Sequence, residues 1–541
     1  MQIQKTDKTI LTPDDILKYI SDYEMAQVKE FDTLWNYYKG QNEKVLARTV
    51  PSQNDPNNKV PIPYGKKIVT TYTGYAHKPH STTYQAVDDK SEDEEIESEE
   101  MIPVEANPDG TENELIIKPK PKTIEQQFCD ELISNFNLNN EHIKTSRAGR
   151  NTGIFGVAYE LLYMDGAVNN DIKTNASLPV KAEPRFFSVD PREMILLYDY
   201  QSEPKKIMAI RFYRITDDHY KVELYYKDKI VLYDRKKQQD PTSGTMKWVL
   251  ILLSESINFY GDIPVIAYYF GDEMLGLIKP VIPIIDAYDT IIADSMNEYD
   301  KFAMAYLVAK GFTFVDPVKA KDPNIASRIL ENLKKKRIIE LPAKDADVNY
   351  LTKDIPTSFV EFMSKKLKDE IHTQSHVPDF KDMATGSLSG AAIQRMLFDF
   401  ENVVSSAEAD FDTALKERIR LIGIAFEKLR RFTGGTPDMI SISHRRNLPA
   451  DLKEKAETAQ LMKNAGFSRW LCADIMPDDV IPDVEEELRR QDEDAAGKPE
   501  DIEDIPEPEE PIEEAEQGSD NMANMNAANN KTKKTQIGEK K

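Results

Sequence analysis

Between Val281 and Arg431 the chain carries three segments with helical apolar spacing, and their order constrains the fold more than any other feature. The first places Val281, Ile285, Tyr288, Ile292, Ser295, Tyr299, Phe302 and Tyr306 on one face, in alternating steps of four and three. The last does the same with Ile393, Leu397, Phe400, Val404, Ala407, Phe411, Leu415, Ile419, Ile422 and Phe426. At 1.5 Å per residue, a helix from Ala392 to Arg431 is a strut about 60 Å long. Between the two lie a basic, β-like insert, a shorter helix and a Gly/Ser-rich loop, ATGSLSG, at 384–390. The reading is a long-helix scaffold with an insert at one end and a pliant loop at the other.

A chain of 541 residues exceeds one hydrophobic core and should hold several domains. Its formal charge of −24 is concentrated in a run at Asp88–Glu100 and in a tail from about Asp492 to Glu516. Both stretches lack the apolar residues that offset the entropy of ordering, so they are expected to stay mobile. An acidic chain is a poor nucleic-acid binder, because affinity for a polyanion comes mainly from Lys and Arg. Cys129 and Cys472, far apart, read as two reduced thiols. No secretory signal is expected at the start, and no run of about 18 apolar residues suggests a membrane span.

Thr12 before Pro13, Asp14 and Asp15 predicts a helix cap, followed by an amphipathic run to about Lys39. A second helix is expected over YGKKIVTTYTGYA. After an acidic, Pro-rich loop at about 87–122, a third begins at Thr123 with Ile124, Phe128, Leu132 and Phe136 on one face. From Gly153 to about Asn258 the apolar period drops to two, which predicts an antiparallel sheet or meander. MISISH reads as a short strand, and 450–492 as helical.

No catalytic constellation accompanies this frame. There is no GxxxxGK[ST] phosphate loop and no GxGxxG after a strand. His77 and His80 flank Pro79, which breaks the helix that would align them on a metal. His372 and His376 lack the Glu of HExxH, so a helix C-terminal role is expected for His376. Asp286, Asp289, Asp294, Glu298 and Asp300 stud the first striped helix, and are read as a solvated or lumen-facing acidic face. Lys334, Lys335, Lys336 and Arg337 form the one dense basic cluster. They read either as a solvated helix end or as a contact patch for phosphates or an acidic partner.

Several strings, in this order, resemble the portal (head-to-tail connector) proteins of long-tailed bacteriophages of Gram-positive hosts. They are NNKVPIPYGKKIVTTYTGYAHKP, FGVAYELLYMDG, VDPREMILLYD and IIDAYDTIIADSMNEYDKFAMAYLVAKG, then LTKDIPTSFVEFMSKKLKDEIHTQSHVPDF, SGAAIQRMLFDFENVVSSAEADFDTALKERIRLI and PDVEEELRRQDE. They span about Asn57 to Asp492; the acidic insertion and the charged tail depart from the pattern.

The resemblance implies an α+β portal fold assembled as a ring of about twelve subunits around double-stranded DNA. It implies a wing at 1–280, with its antiparallel β region, and at 392–449, with the long helix and a return strand. Stem helices fall at 281–310 and 355–377, and a small α/β clip at 311–354. A tunnel loop falls at 378–391, a helical crown at 450–492 and a tail at 493–541. DNA-near residues would be Asp379, Phe380, Lys381, Asp382, Met383, Gly386, Ser387, Ser389 and Gly390. Lys334, Lys335, Lys336 and Arg337 would dock partners at the clip, and Ile285, Tyr288, Ile292, Tyr299, Phe302 and Tyr306 would form the seam between neighbouring stems. Implied partners are the terminase large subunit, a head–tail connector, and the major capsid and scaffolding proteins. No cofactor, metal or membrane is implied. The expected location is the capsid vertex of the virion, after assembly in the host cytoplasm. The competing readings are a packaging nuclease or ATPase, and a scaffold or adaptor without a channel.

Overall fold

Thr12 does cap the first helix: its hydroxyl accepts from Asp15 N, the Asp15 carboxylate accepts from Thr12 N, and Pro13 opens α1 (Pro13–Tyr23). The computed structural model describes residues 3–49, 55–87, 122–166, 182–239, 244–303, 306–310, 347–351, 357–380, 390–446, 452–476, 481, 484 and 487–491. A π-helical turn (Glu24–Val28) joins α1 to α2 (Lys29–Lys39) without a break. That turn is pinned by Arg235, whose guanidinium reaches both oxygens of Glu24 at 2.6 and 3.0 Å and lies 4.4 Å from the Trp248 ring. The short α3 (Glu43–Leu46) and α4 (Tyr64–Ala76) complete the N-terminal helices.

The period-two region folds into two separate sheets. A six-stranded sheet runs β1-β5-β6-β7-β8-β9, with β1 (Gln4–Lys5) parallel to β5 (Met194–Tyr198) and every other neighbour antiparallel. Its remaining strands are β6 (Lys206–Thr216), β7 (His219–Tyr225), β8 (Lys229–Gln239) and β9 (Met246–Ile257). The edge strand β9 bulges opposite Leu232 and Tyr233 and leaves Ile251, Leu252 and Leu253 exposed. A three-stranded sheet orders β10 (Val265–Tyr269), β3 (Val157–Asp165) and β4 (Glu183–Val189). β13 (Ile440–His444), the predicted MISISH strand, pairs antiparallel with β2 (Thr82–Ala86).

Two apolar clusters follow from this division. One gathers α1, α2, α4 and the six-stranded sheet; the other gathers α5 (Ile124–Asn139), the three-stranded sheet and β13. Thr123 caps α5 in a box with Gln126, and Phe128, Leu132 and Phe136 are buried, whereas Ile124 is exposed. α6 (Glu141–Phe155) packs between α4 and β3. At Gly149 a side chain would collide with the His77 ring, so only glycine lets α6 approach α4 there.

The striped segments become α7 (Ile282–Ala303), α8 (Thr357–Ser375) and α9 (Gly390–Lys428). α9 is 39 residues long, about 58 Å, close to the strut expected. The α9 stripe is covered within the chain: Leu397, Phe400 and Val404 enter the first cluster and Phe411, Leu415, Ile419, Ile422 and Phe426 enter the second. The chain's own sheets and helices supply the surface that covers them.

The described residues from 452 onward belong to a second unit, which shows α10 (Leu452–Asn464) and α11 (Arg469–Asp474), the latter capped by Ser468. Among the described residues no helix is long and apolar enough to cross a membrane.

Candidate functional site

α7 carries carboxylates read from sequence as a solvated or lumen-facing face, and the structure corrects that reading at Asp289, which is buried, while Asp294 is exposed. The face of α7 turned inward runs Ile285, Asp289, Ala293 and Asn297 in steps of four, and all four are buried. Residues of the stretches 37–48 and 58–62 are laced onto that face. Tyr37 Oη donates to Asp286 at 2.5 Å, Asn42 Nδ2 donates to Asp289 at 2.9 Å, and the Ile62 amide donates to the other Asp289 oxygen at 3.1 Å. Arg48 pairs with Asp294, and Asn58 donates to both Asn297 and Asp300 at 2.6 Å. Short polar side chains on a helix give no periodic apolar signal, so the lacing is invisible until α2, α3 and α7 are brought together.

Among the described residues Asp289 has no cationic partner. Burial, which disfavours its charged form, raises its pKa from 3.8 to about 6, with Asp286 adding to the rise. The folded state therefore binds a proton more tightly than the unfolded chain between about pH 4 and 6. Stability from this group grows as pH falls through that window and is lost as pH rises through 6. The ionised carboxylate costs about 3 kcal/mol at neutral pH. The expected result is a difference between wild type and Asp289→Asn in denaturant midpoint that shifts towards wild type between pH 7 and pH 4.5. A pH-independent difference would reject the assignment.

The foot of the expected tunnel loop is held tightly. Asp379 is almost fully buried, and its carboxylate takes Lys67 Nζ at 2.9 Å and Lys368 Nζ at 2.7 Å. Phe380 packs against the first apolar cluster. These two residues thus anchor the segment to α4, α8 and the first apolar cluster. Lys381, Asp382, Met383, Gly386, Ser387 and Ser389 lie outside the described residues, and Gly390 is the first residue of α9. Lys334, Lys335, Lys336 and Arg337 also lie outside them, as do the acidic insertion from 88 to 121 and the tail from 492.

The expected stem seam divides in two. Ile285 belongs to the chain's own core, and Tyr288 meets Tyr64 edge-on with ring centres 5.1 Å apart. Farther along, Ile292 is half-buried and Tyr299 is 68% exposed. Phe302 is helical, and nothing of its side chain is described. Tyr306 is corrected outright: α7 ends at Ala303, and Tyr306 opens β11 (Tyr306–Lys310), which pairs antiparallel with β12 (Asp347–Leu351). The run Tyr-Leu-Val favours a pleated strand, and a cross-strand partner outweighs continuation of the helical period. α8 packs along α7, and Ile371 near its C-terminus shares the first apolar cluster with Val281 and Ile285 at the start of α7, so the two helices run antiparallel as a hairpin. At its far end Met296 and Tyr299 of α7, and Phe359 and Phe362 of α8, are exposed.

A polar cluster missed in the sequence fixes α9 to α6, β2 and β3. Arg418 is fully buried; its Nε and Nη2 reach both oxygens of Glu160 at 2.8 and 2.9 Å, and its Nη1 reaches Glu141 and Thr145 at 2.8 Å. Tyr84 Oη donates to Glu141 at 2.7 Å, and Tyr268 Oη donates to Glu160 at 3.3 Å. The guanidinium also lies 4.8 Å from the Phe186 ring. The attraction of the two carboxylates outweighs the burial that opposes its charge, so its pKa rises well above the usual value. The available signal was Glu160 inside the apolar strand VAYELLYMD, a charge that a buried strand tolerates only with a partner.

The histidines take structural positions. His77 is buried, accepts from or donates to Tyr72 Oη at 2.9 Å, and burial lowers its pKa to about 3. His80 stacks on His142 with ring centres 4.0 Å apart. His376 ends α8 with a left-handed φ of 55°, the C-terminal role expected of it. Among the described residues no group of three or more His, Cys, Asp or Glu side chains is arranged to hold a metal ion.

The chain matches the family model described as "Phage portal protein, SPP1 Gp6-like" over residues 17–498. A portal protein of Bacillus phage SPP1 is 21% identical over 252 residues, which are 45% of this chain and 47% of that protein. The aligned part thus covers about half the length of that relative. With the family model spanning the N-terminal helices, both large sheets and the three long helices, the chain belongs to the SPP1 Gp6-like family of phage portal proteins.

Proposed function

We propose that this chain is the subunit of a ring that surrounds double-stranded DNA at one capsid vertex, conducts it during packaging and ejection, and performs no chemistry itself. The observation that carries the reading is the family match across residues 17–498, on a chain whose α7–α8 hairpin leads into the 39-residue α9. In this reading the hairpin is the stem, 311–354 the clip, 378–391 the loop nearest DNA and 450–492 the crown. Residues 1–280 and 392–449 form the wing. The clip, through Lys334, Lys335, Lys336 and Arg337, docks the terminase large subunit and later the head–tail connector; capsid and scaffolding proteins meet the body. ATP hydrolysis belongs to the terminase.

The seam between stems is reassigned within this proposal. Ile285 and Tyr288 are occupied by the chain itself, so neighbouring subunits meet through the exposed Met296, Tyr299, Phe359 and Phe362. Native mass spectrometry of the purified protein tests the reading directly. A closed ring of about twelve subunits, with a hole wide enough for a duplex in negative-stain images, is the expected result. A stable monomer at micromolar concentration, or metal- or ATP-dependent cleavage of DNA, would overturn it.

A further inference from the structure

We propose that His372, Lys67, Asp379 and Lys368 form a proton-operated clasp, which ties the segment Val377–Phe380 to α4 at neutral pH and lets go on acidification. The inference goes beyond the portal reading and does not depend on ring formation.

The hydrogen-bond geometry permits one state of His372. Its Nδ1 lies 2.9 Å from the Val377 carbonyl oxygen, which can only accept, so Nδ1 carries the hydrogen. Its Nε2 lies 3.2 Å from Lys67 Nζ, an ammonium that can only donate, so Nε2 is bare. The imidazole is therefore neutral, with both nitrogens committed. Lys67 Nζ goes on to Asp379 Oδ1 at 2.9 Å, and Lys368 Nζ closes the other carboxylate oxygen at 2.7 Å. The groups facing the ring are Tyr64 and Lys67 from α4, Lys368 from α8 itself, and Asp379 from the tied segment; Tyr288 of α7 packs behind Tyr64. The side chains of His372 and Asp379 are only 10% and 6% exposed, so water screens them little.

A proton on Nε2 turns this acceptor into a cationic donor 3.2 Å from the Lys67 ammonium. The cluster then holds three cations against one carboxylate. Relief comes if the imidazolium turns to Asp379 Oδ2, now 3.7 Å away, and displaces Lys67. Either movement breaks the Lys67–Asp379 bridge, the ionic tie between the segment and α4. Burial lowers the His372 pKa, so the change falls on the acidic side of the ordinary histidine range.

Hydrogen exchange read by mass spectrometry on the full-length protein tests the clasp. Peptides covering 371–380 are followed at about pH 8 and about pH 5 after correction for intrinsic exchange. In wild type, protection of the Val377, Asp379 and Phe380 amides is expected to fall about tenfold at the lower pH. Lys67→Met should lower protection at pH 8 yet show no further acid loss, because the imidazolium then faces Asp379 without a competing ammonium. His372→Gln should be insensitive to pH. Equal protection of wild type at both pH values overturns the proposal. So does an acid loss that persists in His372→Gln while far-ultraviolet circular dichroism shows an intact fold.

Discussion

Arg418→Met should lower the unfolding free energy by about 3–5 kcal/mol, the range found when one partner is taken from a buried ion cluster. The size follows from what stays behind. Glu141 and Glu160 are both buried, and each loses its guanidinium contact; Tyr84, Thr145 and Tyr268 then offer hydroxyls to two uncompensated carboxylates. The effect is long-range in sequence, because the cluster joins α9 to α6, β2 and β3. Arg418→Lys keeps a charge but loses the fork that grips both Glu160 oxygens, and should fall between wild type and Met. Adding Glu160→Gln to Arg418→Met should recover part of the loss by removing one orphaned charge. Urea titration followed by circular dichroism provides the check. A loss under about 1 kcal/mol for Arg418→Met would show that the carboxylates find other partners.

Tyr299→Glu combined with Phe362→Glu should dissolve the ring while leaving the subunit folded. Both side chains are more than 60% exposed in the single chain, so charging them disturbs little within it. In a seam, the same residues would bury apolar surface, and replacing two aromatics with carboxylates removes about 3 kcal/mol per contact at 25 cal/mol per Å². That is more than a hundredfold in each association constant, and a closed ring multiplies the loss over every seam. Sedimentation velocity should therefore show subunits in place of rings, with the thermal midpoint of the subunit unchanged. Ile285→Glu is the contrasting case. Ile285 is 1% exposed and sits in the first apolar cluster, so it should unfold the subunit, not merely separate it from its neighbours. If the double variant still forms rings, the far end of the α7–α8 hairpin is not the seam.

These two sites differ in how far they could be read in advance. The exposed aromatics Tyr299 and Phe362 stand on helices announced by periodicity, and only their solvent exposure awaited the structure. Arg418 was concealed by its company. It sits beside Leu415 and Ile419 in a stripe of apolar residues, and its two partners come from 258 and 277 positions away. A one-dimensional pattern registers a charge within an apolar run as noise, because the carboxylate that justifies it is contributed by another element. Ile285, which is buried within the single chain, shows a related limit: an apolar stripe states only that it must be covered. It does not say whether a neighbouring subunit or the same chain provides the cover.

The sequence by itself determined the local structure where a short-range cause was sufficient. Thr12 and Thr123 start helices because their hydroxyls reach amides three residues on, and the stripe from Leu397 to Phe426 is a helix because its spacing admits nothing else. The change of period after Gly153 likewise announced strands. Only the tertiary structure decided the rest: that the strands divide into two sheets, that Tyr306 leaves the helix to pair with Leu351, and that Asp289 turns inward to meet Asn42 and Ile62. Each of these depends on a partner far away in the chain. A hydrogen bond or buried contact across tens to hundreds of residues outweighs local preferences of a few tenths of a kcal/mol, and leaves no periodic trace in the sequence on either side.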